Sequence, residues 1–358
     1  MSEFENMKIG IVGFGLAGSV LSYYLFKNKF TQITVFDSFE TNSATKIAAG
    51  LYNPITGKDR KFTWLVDEIF PIIEPFYREL EKLTNEKFLY PLPILMPFAS
   101  LSEKEKWYTK EYSQPIINIK VVENNEIQNI ASLHIPYGYM LVNPAGYLHT
   151  ERFLNATKNF FKENGIHFTH QDLIYSLLKK NNSKWHYKNY EFDKVIFCEG
   201  YKAINNPFFK FIGLKPVKGE ILSVKIQNLS TDYIYNKSMF IVPTTEKNIF
   251  KCGSTYRHRW QDDVTPETLG MDDIQKRLKI LYLGKFMLLD AKAGVRPSSV
   301  DRKPILGEHP IEKNLYIFNG LGTKGVSLAP YFGKIMFDLV INNVEPIAVV
   351  NVKRFCNS

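Results

Sequence analysis

Met7-Lys-Ile-Gly-Ile-Val-Gly-Phe-Gly-Leu-Ala-Gly-Ser19, followed by Ile33-Thr-Val-Phe-Asp37, is the stretch on which the fold turns. Ile9, Ile11 and Val12 read as a short buried strand, and Gly13-x-Gly15-x-x-Gly18 arrives at its end. Apolar residues from Leu16 to Phe26 then recur at helical spacing, which supplies the strand–turn–helix context that a dinucleotide fingerprint requires. Gly13 permits the tight turn, Gly15 lets a pyrophosphate approach the backbone, and Gly18 lets the helix pack close on the strand. A phosphate there meets the positive end of a helix whose first turn holds Leu16 and Ala17. Asp37 stands 19 residues after Gly18, at the end of the second strand, placed to hydrogen-bond a ribose 2′-OH. An acid at that point argues against a 2′-phosphate.

The chain has 358 residues, a length that suggests two domains, and its 27 Phe and 20 Tyr suit the walling-in of a large ligand. No apolar run reaches the ~18 residues of a membrane span. The first residues, Met-Ser-Glu-Phe-Glu-Asn, lack a basic-then-apolar leader, so the chain reads as cytoplasmic. Cys198, Cys252 and Cys356 are widely spaced, which argues against a disulfide framework or a zinc site. The formal charge of +9 is spread over Lys58, Arg60 and Lys61, then Lys179, Lys180 and Lys184, then Arg257 and Arg259. Scatter of this kind favours a solvated basic surface over a nucleic-acid stripe.

Texture changes along the chain. A long amphipathic helix starts near Thr63, after a small-residue loop from Thr41 to Gly57 that is unsuited to a packed helix. Strands are expected at 116–122, around His167, at 173–177 and at 194–198, with a helix through Phe153, Leu154, Phe160 and Phe161. Runs at 221–226, 239–243 and 249–253 suggest an antiparallel sheet, and a last strand at 315–318 leads into a helix from about Ser327. We therefore expect an α/β protein: a discontinuous Rossmann-type dinucleotide domain (1–87, 142–215, 291–358) with an inserted antiparallel-sheet substrate domain (88–141, 216–290).

Ala293-Gly-Val-Arg-Pro-Ser-Ser-Val-Asp-Arg-Lys-Pro-Ile-Leu-Gly307 and Asn319-Gly-Leu-Gly-Thr-Lys-Gly-Val-Ser-Leu-Ala-Pro330 closely resemble the C-terminal signature of the D-amino-acid oxidase family. That family includes glycine oxidase, sarcosine oxidase and the oxidase domain of the bifunctional enzyme that modifies the tRNA wobble uridine. Ala49-Gly-Leu51, Cys198-Glu-Gly200, Val217-Lys-Gly-Glu220 and Met239-Phe-Ile-Val-Pro243 extend the resemblance across the chain. It implies FAD as the cofactor. The implied flavin contacts are Ala49, Gly50 and Leu51 on one side, Leu173 and Gly200 along the cofactor, and Gly320, Gly322, Thr323, Gly325 and Val326 in the terminal loop and helix start.

The same resemblance places Arg296 on the arginine that grips the substrate carboxylate in D-amino-acid and glycine oxidases; the structural alternative is a salt bridge, for instance with Asp301. Lys324 falls on a basic residue of sarcosine oxidase and the tRNA-modifying oxidase, where it holds a carboxylate or sits against reduced flavin, unless it is a solvated loop lysine. Phe240 replaces a tyrosine of glycine oxidase and cannot donate to a carboxylate, which puts free glycine in doubt. Tyr256, Tyr233 and Tyr235 are candidates to compensate, and His258 reads as solvent-facing. No metal cluster is evident, and no cysteine falls at the covalent attachment point near Arg296, so FAD is expected to be non-covalent. The leading expectation is oxidation of a primary or secondary amine that carries a carboxylate. Two alternatives are a tRNA wobble-uridine oxidase and a non-catalytic flavin-binding partner protein. Oligomeric state stays open.

Overall fold

The computed structural model describes residues 6–57, 60–108, 116–123, 132–260 and 264–356. The first five residues and Lys58 lie outside them.

The Ile9–Val12 strand is wholly buried and hands over at Gly13 to the helix Leu16–Lys27. Gly13 takes φ +97°, and a Cβ there would collide with the Cys198 carbonyl. A Cβ on Gly18 would collide with the carbonyl of Gly13, so the helix reaches its strand only with glycine at both points. Around this unit runs a six-stranded sheet in the spatial order His167–Thr169, Ile33–Phe36, Ile9–Val12, Lys194–Phe197, Leu315–Asn319, Ile305–Glu308. Every pairing is parallel except the last.

The second sheet has eight strands, in the order Phe286–Arg296, Val217–Ile226, Ile249–Gly253, Met239–Pro243, Ile234–Lys237, Ile94–Pro97, Tyr139–Asn143, Asn118–Val122. It is antiparallel apart from one parallel joint, Ile234–Lys237 against Ile94–Pro97. The sheet is thus mainly antiparallel, as the sequence led us to expect, with that joint as an addition. Two chain segments, each antiparallel within itself, meet there, and the whole intervening chain serves as the crossover a parallel pair needs. Two of the expected domain boundaries, 141/142 and 290/291, fall inside strands of this sheet.

Two smaller expectations also change. The small-residue loop contains a short helix, Ala44–Ile47. The strand expected at 173–177 is a 3-10 turn at Tyr175–Leu177, with strand pairing only from Leu178. Ile174 and Leu177 are exposed there, so the apolar run has no face to bury.

The C-terminal helix Gly325–Asn342 packs on Leu16–Lys27, where a Cβ on Gly333 would press into Val20. Pro330 inside it has no N–H for the Val326 carbonyl, and the buried Tyr77 hydroxyl donates to that oxygen instead, at 2.9 Å. Tyr77 belongs to Val66–Thr84, so one proline and one tyrosine lock the two helices together. No helix among the described residues is long and apolar enough to cross a membrane.

Candidate active site

The parallel strands all point their C-terminal ends at one cavity of about 1620 Å³. Gly13 follows Val12, Asp37 follows Phe36, Leu173 comes shortly after Thr169, Cys198–Gly200 follow Phe197, and Gly320 follows Asn319; each of these lines the cavity. Ligands of open parallel sheets bind at this edge, because the loops there are free to diverge. The second sheet closes the cavity from the other side.

At the dinucleotide end the helix Leu16–Lys27 starts at Gly15 without a side-chain cap. Its first N–H, on Leu16, donates to Thr45 Oγ1 at 3.2 Å, and Ala17, which follows, also lines the cavity. Asp37 accepts from the N–H groups of Phe14 and Phe39, both at 2.5 Å. A carboxylate has about four acceptor sites, so two remain for a ribose diol. The cradle of glycines, the uncapped helix end and this acid fit the pyrophosphate and ribose of FAD. Gly18 alone among the expected cofactor residues does not line the cavity; its glycine serves the helix–strand crossing.

Asn319 ties the two strand ends together. Its side-chain N–H donates to the Gly200 carbonyl at 2.8 Å, and its Oδ1 accepts from Gly320 N–H at 2.8 Å. The C-terminal helix begins at Gly325 with Lys324 as its N-cap and no side-chain cap. Its first N–H groups, on Gly325, Val326 and Ser327, are thus free to hold a flavin ring's polar edge, while Ala49, Gly50 and Leu51 line the opposite side.

Arg296 ends the long edge strand Phe286–Arg296 and lays its guanidinium over Gly219 of the neighbouring strand. Any side chain at 219 would occupy the space of both terminal nitrogens. Nη1 donates to the Thr255 carbonyl at 3.1 Å and Nη2 to Ser254 Oγ at 2.6 Å, and the Tyr256 ring lies 4.6 Å from the guanidinium. Asp301, the counter-ion suggested by sequence, pairs instead with Arg354 at 2.8 Å. Arg296 therefore has no carboxylate within salt-bridge distance among the described residues. Burial pulls its pKa below the ordinary arginine value, with Tyr256 and the buried Glu220 acting the other way.

Glu220, fully buried behind the sheet, accepts from Thr255 Oγ1, and so steadies the segment that holds Arg296. Lys324 is half-buried and its side chain has no hydrogen-bond partner among the described residues; burial together with Lys303 and Arg302 lowers its pKa. Arg302 keeps a left-handed backbone, φ +59°, at the cavity rim. That costs a non-glycine residue roughly 1–2 kcal/mol.

Phe240, Tyr256 and His258 line the cavity, Tyr256 with 64 % of its surface exposed. Tyr235 is core, its hydroxyl donating to the Ser230 carbonyl, and Tyr233 packs beside that core, away from the cavity. Sequence reasoning missed Gly219, Ser254 and Thr255 as the seat of Arg296. Gly219 did leave a signal, since a glycine inside a strand marks close approach. It also missed Glu199, which lines the cavity half-buried and whose carboxylate accepts from Tyr175 (2.6 Å) and Asn206 (2.8 Å). Desolvation pushes its pKa up to about 7.

The family description "FAD dependent oxidoreductase" matches residues 8–339, and the chain belongs to that family of FAD-dependent enzymes. Glycine oxidase of Bacillus subtilis (strain 168) is 32% identical over 142 residues, 38% of this chain and 38% of that protein. The tRNA 5-methylaminomethyl-2-thiouridine biosynthesis bifunctional protein of Actinobacillus pleuropneumoniae serotype 5b is 19% identical over 402 aligned positions. That alignment covers 97% of this chain and 58% of the relative. The matches thus span less than two thirds of either relative's length. Among solved structures, iminodiacetate oxidase from Chelativorans sp. BNC1 superposes with a TM-score of 0.79 at 17% identity, covering 96% of this chain and 99% of that one. Glycine oxidase from Geobacillus kaustophilus gives 0.78 at 18% identity, with 97% and 98% covered. At these identities the likeness is one of fold.

Proposed function

We propose that the protein oxidises a primary or secondary amine that carries a carboxylate. One observation carries this: Arg296, a permanently charged fork in a cavity wall, is held by neutral oxygens and lacks an acid partner among the described residues. Two of its five N–H donors are used, which leaves three for a bidentate carboxylate. Fixing the carboxylate fixes the α-carbon, and orientation is the main thing this reaction asks of the protein. FAD, when bound, supplies the hydride acceptor. Arg296, Lys324 and Arg302 surround the bound amine with positive charge, which favours its neutral form, the form able to release hydride. The N–H groups at the start of the C-terminal helix would stabilise negative charge on the ring. The product imine then hydrolyses in water. Iminodiacetate oxidase and glycine oxidase, by their names, act on compounds of this class.

A second reading is an amine carried on tRNA. The rim cation Arg302 supports it, as does alignment along nearly the whole chain with the bifunctional tRNA-modifying protein. Anaerobic bleaching of the flavin by a panel of amino acids, N-methyl amino acids and modified tRNA separates the readings. Bleaching by carboxylated small amines supports the first, and bleaching by tRNA alone replaces it with the second. No bleaching by any of them would sink both. Flavin is expected to leave the protein on acid denaturation; flavin retained on the precipitate would refute non-covalent binding.

A further inference from the structure

The cavity floor is a row of residues that face one another across adjacent strands. Ile221 stands opposite Gly253, Gly253 opposite Phe240, and Phe240 opposite Asn236. The parallel register of the next pair (Ile234 with Ile94, Tyr235 with Leu95) continues the row to Met96. All five line the cavity. Five strands make four spacings of about 4.8 Å, so the floor is roughly 19 Å wide. A glycine-sized amine, about 4 Å long, covers a fifth of it.

Arg296 lies just past one end of this row, its guanidinium over Gly219, two residues from Ile221 on the same strand. Arg60 closes the other, beside Met96, donating from Nη2 to the Pro97 carbonyl at 2.5 Å and from Nε to Glu103 at 3.0 Å. Arg60 is only 9 % exposed, and its Nη1 is buried with no partner among the described residues. Next to it, Asn236 and Lys237 also line the cavity. Among the described residues, the Asn236 side chain has no hydrogen-bond partner and Lys237 forms no ion pair. Burial and Arg60 both lower the Lys237 pKa, with Glu103 alone raising it. Two cations thus share one carboxylate, and donors at this end outnumber acceptors. Buried donors in that state are satisfied by an oxyanion.

We propose that the cavity takes an elongated amine whose end distal to the Arg296-bound carboxylate carries a second oxyanion, a carboxylate or a phosphate, received by Arg60, Asn236 and Lys237. The proposal rests on Arg296 as the carboxylate anchor. The probes are N-carboxymethyl alkylamines with propyl, hexyl or nonyl tails, ending in methyl, carboxylate or phosphate. Each is titrated anaerobically into the FAD-loaded enzyme and followed by the change in the flavin spectrum.

For at least one of the longer tails, an oxyanion end should bind roughly tenfold to a hundredfold more tightly than a methyl end. That ratio should fall to near one in Lys237→Met and in Arg60→Met, with flavin content and melting temperature recorded for each. Asn236→Leu, on a strand that needs no charge to fold, provides a third variant should Arg60→Met fail to fold. A larger gain from carboxylate or from phosphate names the natural oxyanion. Equal binding of methyl and oxyanion ends at every length would overturn the proposal, as would a charge advantage that survives in folded variants. If the short carboxymethyl amines bind and tails add nothing, this inference alone fails. If none binds, the reading of Arg296 fails with it.

Discussion

Replacing Arg296 by alanine removes a guanidinium that is positioned by Gly219, Ser254 and Thr255 and is not tied to any acid among the described residues. We expect FAD content and folding to persist, while flavin reduction by a carboxylated amine weakens by about 2–5 kcal/mol in apparent transition-state energy. Arg296→Lys should recover part, since an ammonium keeps the charge and loses the fork. An amide analogue of the substrate is the control: wild type should handle it poorly and Arg296→Ala should lose little more. Equal penalties on acid and amide would make Arg296 structural. Gly219→Ala tests the same point without touching the charge. Its methyl group would displace the guanidinium, so carboxylate binding should weaken by roughly 1.5–3 kcal/mol, the worth of a hydrogen bond to a charged group, with flavin retained. Wild-type affinity in Gly219→Ala would mean the carboxylate is bound elsewhere.

Two helix starts line the cavity, and they differ in how plainly the sequence announced them. The first helix was legible because strand, glycines, apolar period and acid lie within one local stretch, Ile9 to Asp37. Gly15→Val should abolish FAD binding, because its side chain would fill the phosphate approach and crowd Thr45; stoichiometric flavin in the folded variant would reduce the motif to a packing turn. The C-terminal helix was legible from its texture after the strand at 315–318, its place beside a flavin only by resemblance, and its lock not at all. Nothing local pairs Pro330 with Tyr77, which lies some 250 positions earlier in the chain. Tyr77→Phe leaves the Val326 carbonyl buried without a donor, at a cost of about 1–3 kcal/mol. Thermal unfolding of the apoprotein measures it, and an unchanged midpoint would show that water replaces the hydroxyl. The floor row was hidden for the same reason. Asn236 and Met96 become neighbours through a register set 140 positions apart, and alternation within either strand says nothing about it.

At the scale of the whole molecule, desolvated titratable groups make stability depend on pH, and Glu199 is the carboxylate among them whose proton the fold holds most tightly near neutrality. It follows the central strand Lys194–Phe197 and gathers Tyr175 and Asn206 at the cofactor end of the cavity. Two donated hydrogen bonds favour its charged form, yet desolvation dominates and lifts the pKa from 4.5 to about 7. Its folded pKa lies above its unfolded one, so the native state holds the proton more firmly between those values. The contribution of Glu199 to the stability of the apoprotein should therefore fall as pH rises from about 4.5 to 7, then level off. The full drop is on the order of 3 kcal/mol, since each tenfold difference in proton affinity between the folded and unfolded chain is worth about 1.4 kcal/mol. Asp301 and Glu345 act in the opposite sense, since their ion pairs with Arg354 and Lys353 depress their pKa and are lost on acidification. Their contribution lies lower, below about pH 4, so the two windows separate. Glu199→Gln keeps the shape and removes the proton. Denaturant unfolding of both apoproteins at a series of pH values should give a wild-type slope between about pH 5 and 7 that is more negative than the variant's, which keeps only the rising contribution of His149 and His309, whose pKa values burial lowers. The slope is the measure, because the amide also rearranges the bonds to Tyr175 and Asn206. Parallel slopes in the two proteins would mean that Glu199 is ionised throughout and that its two donors outweigh its burial.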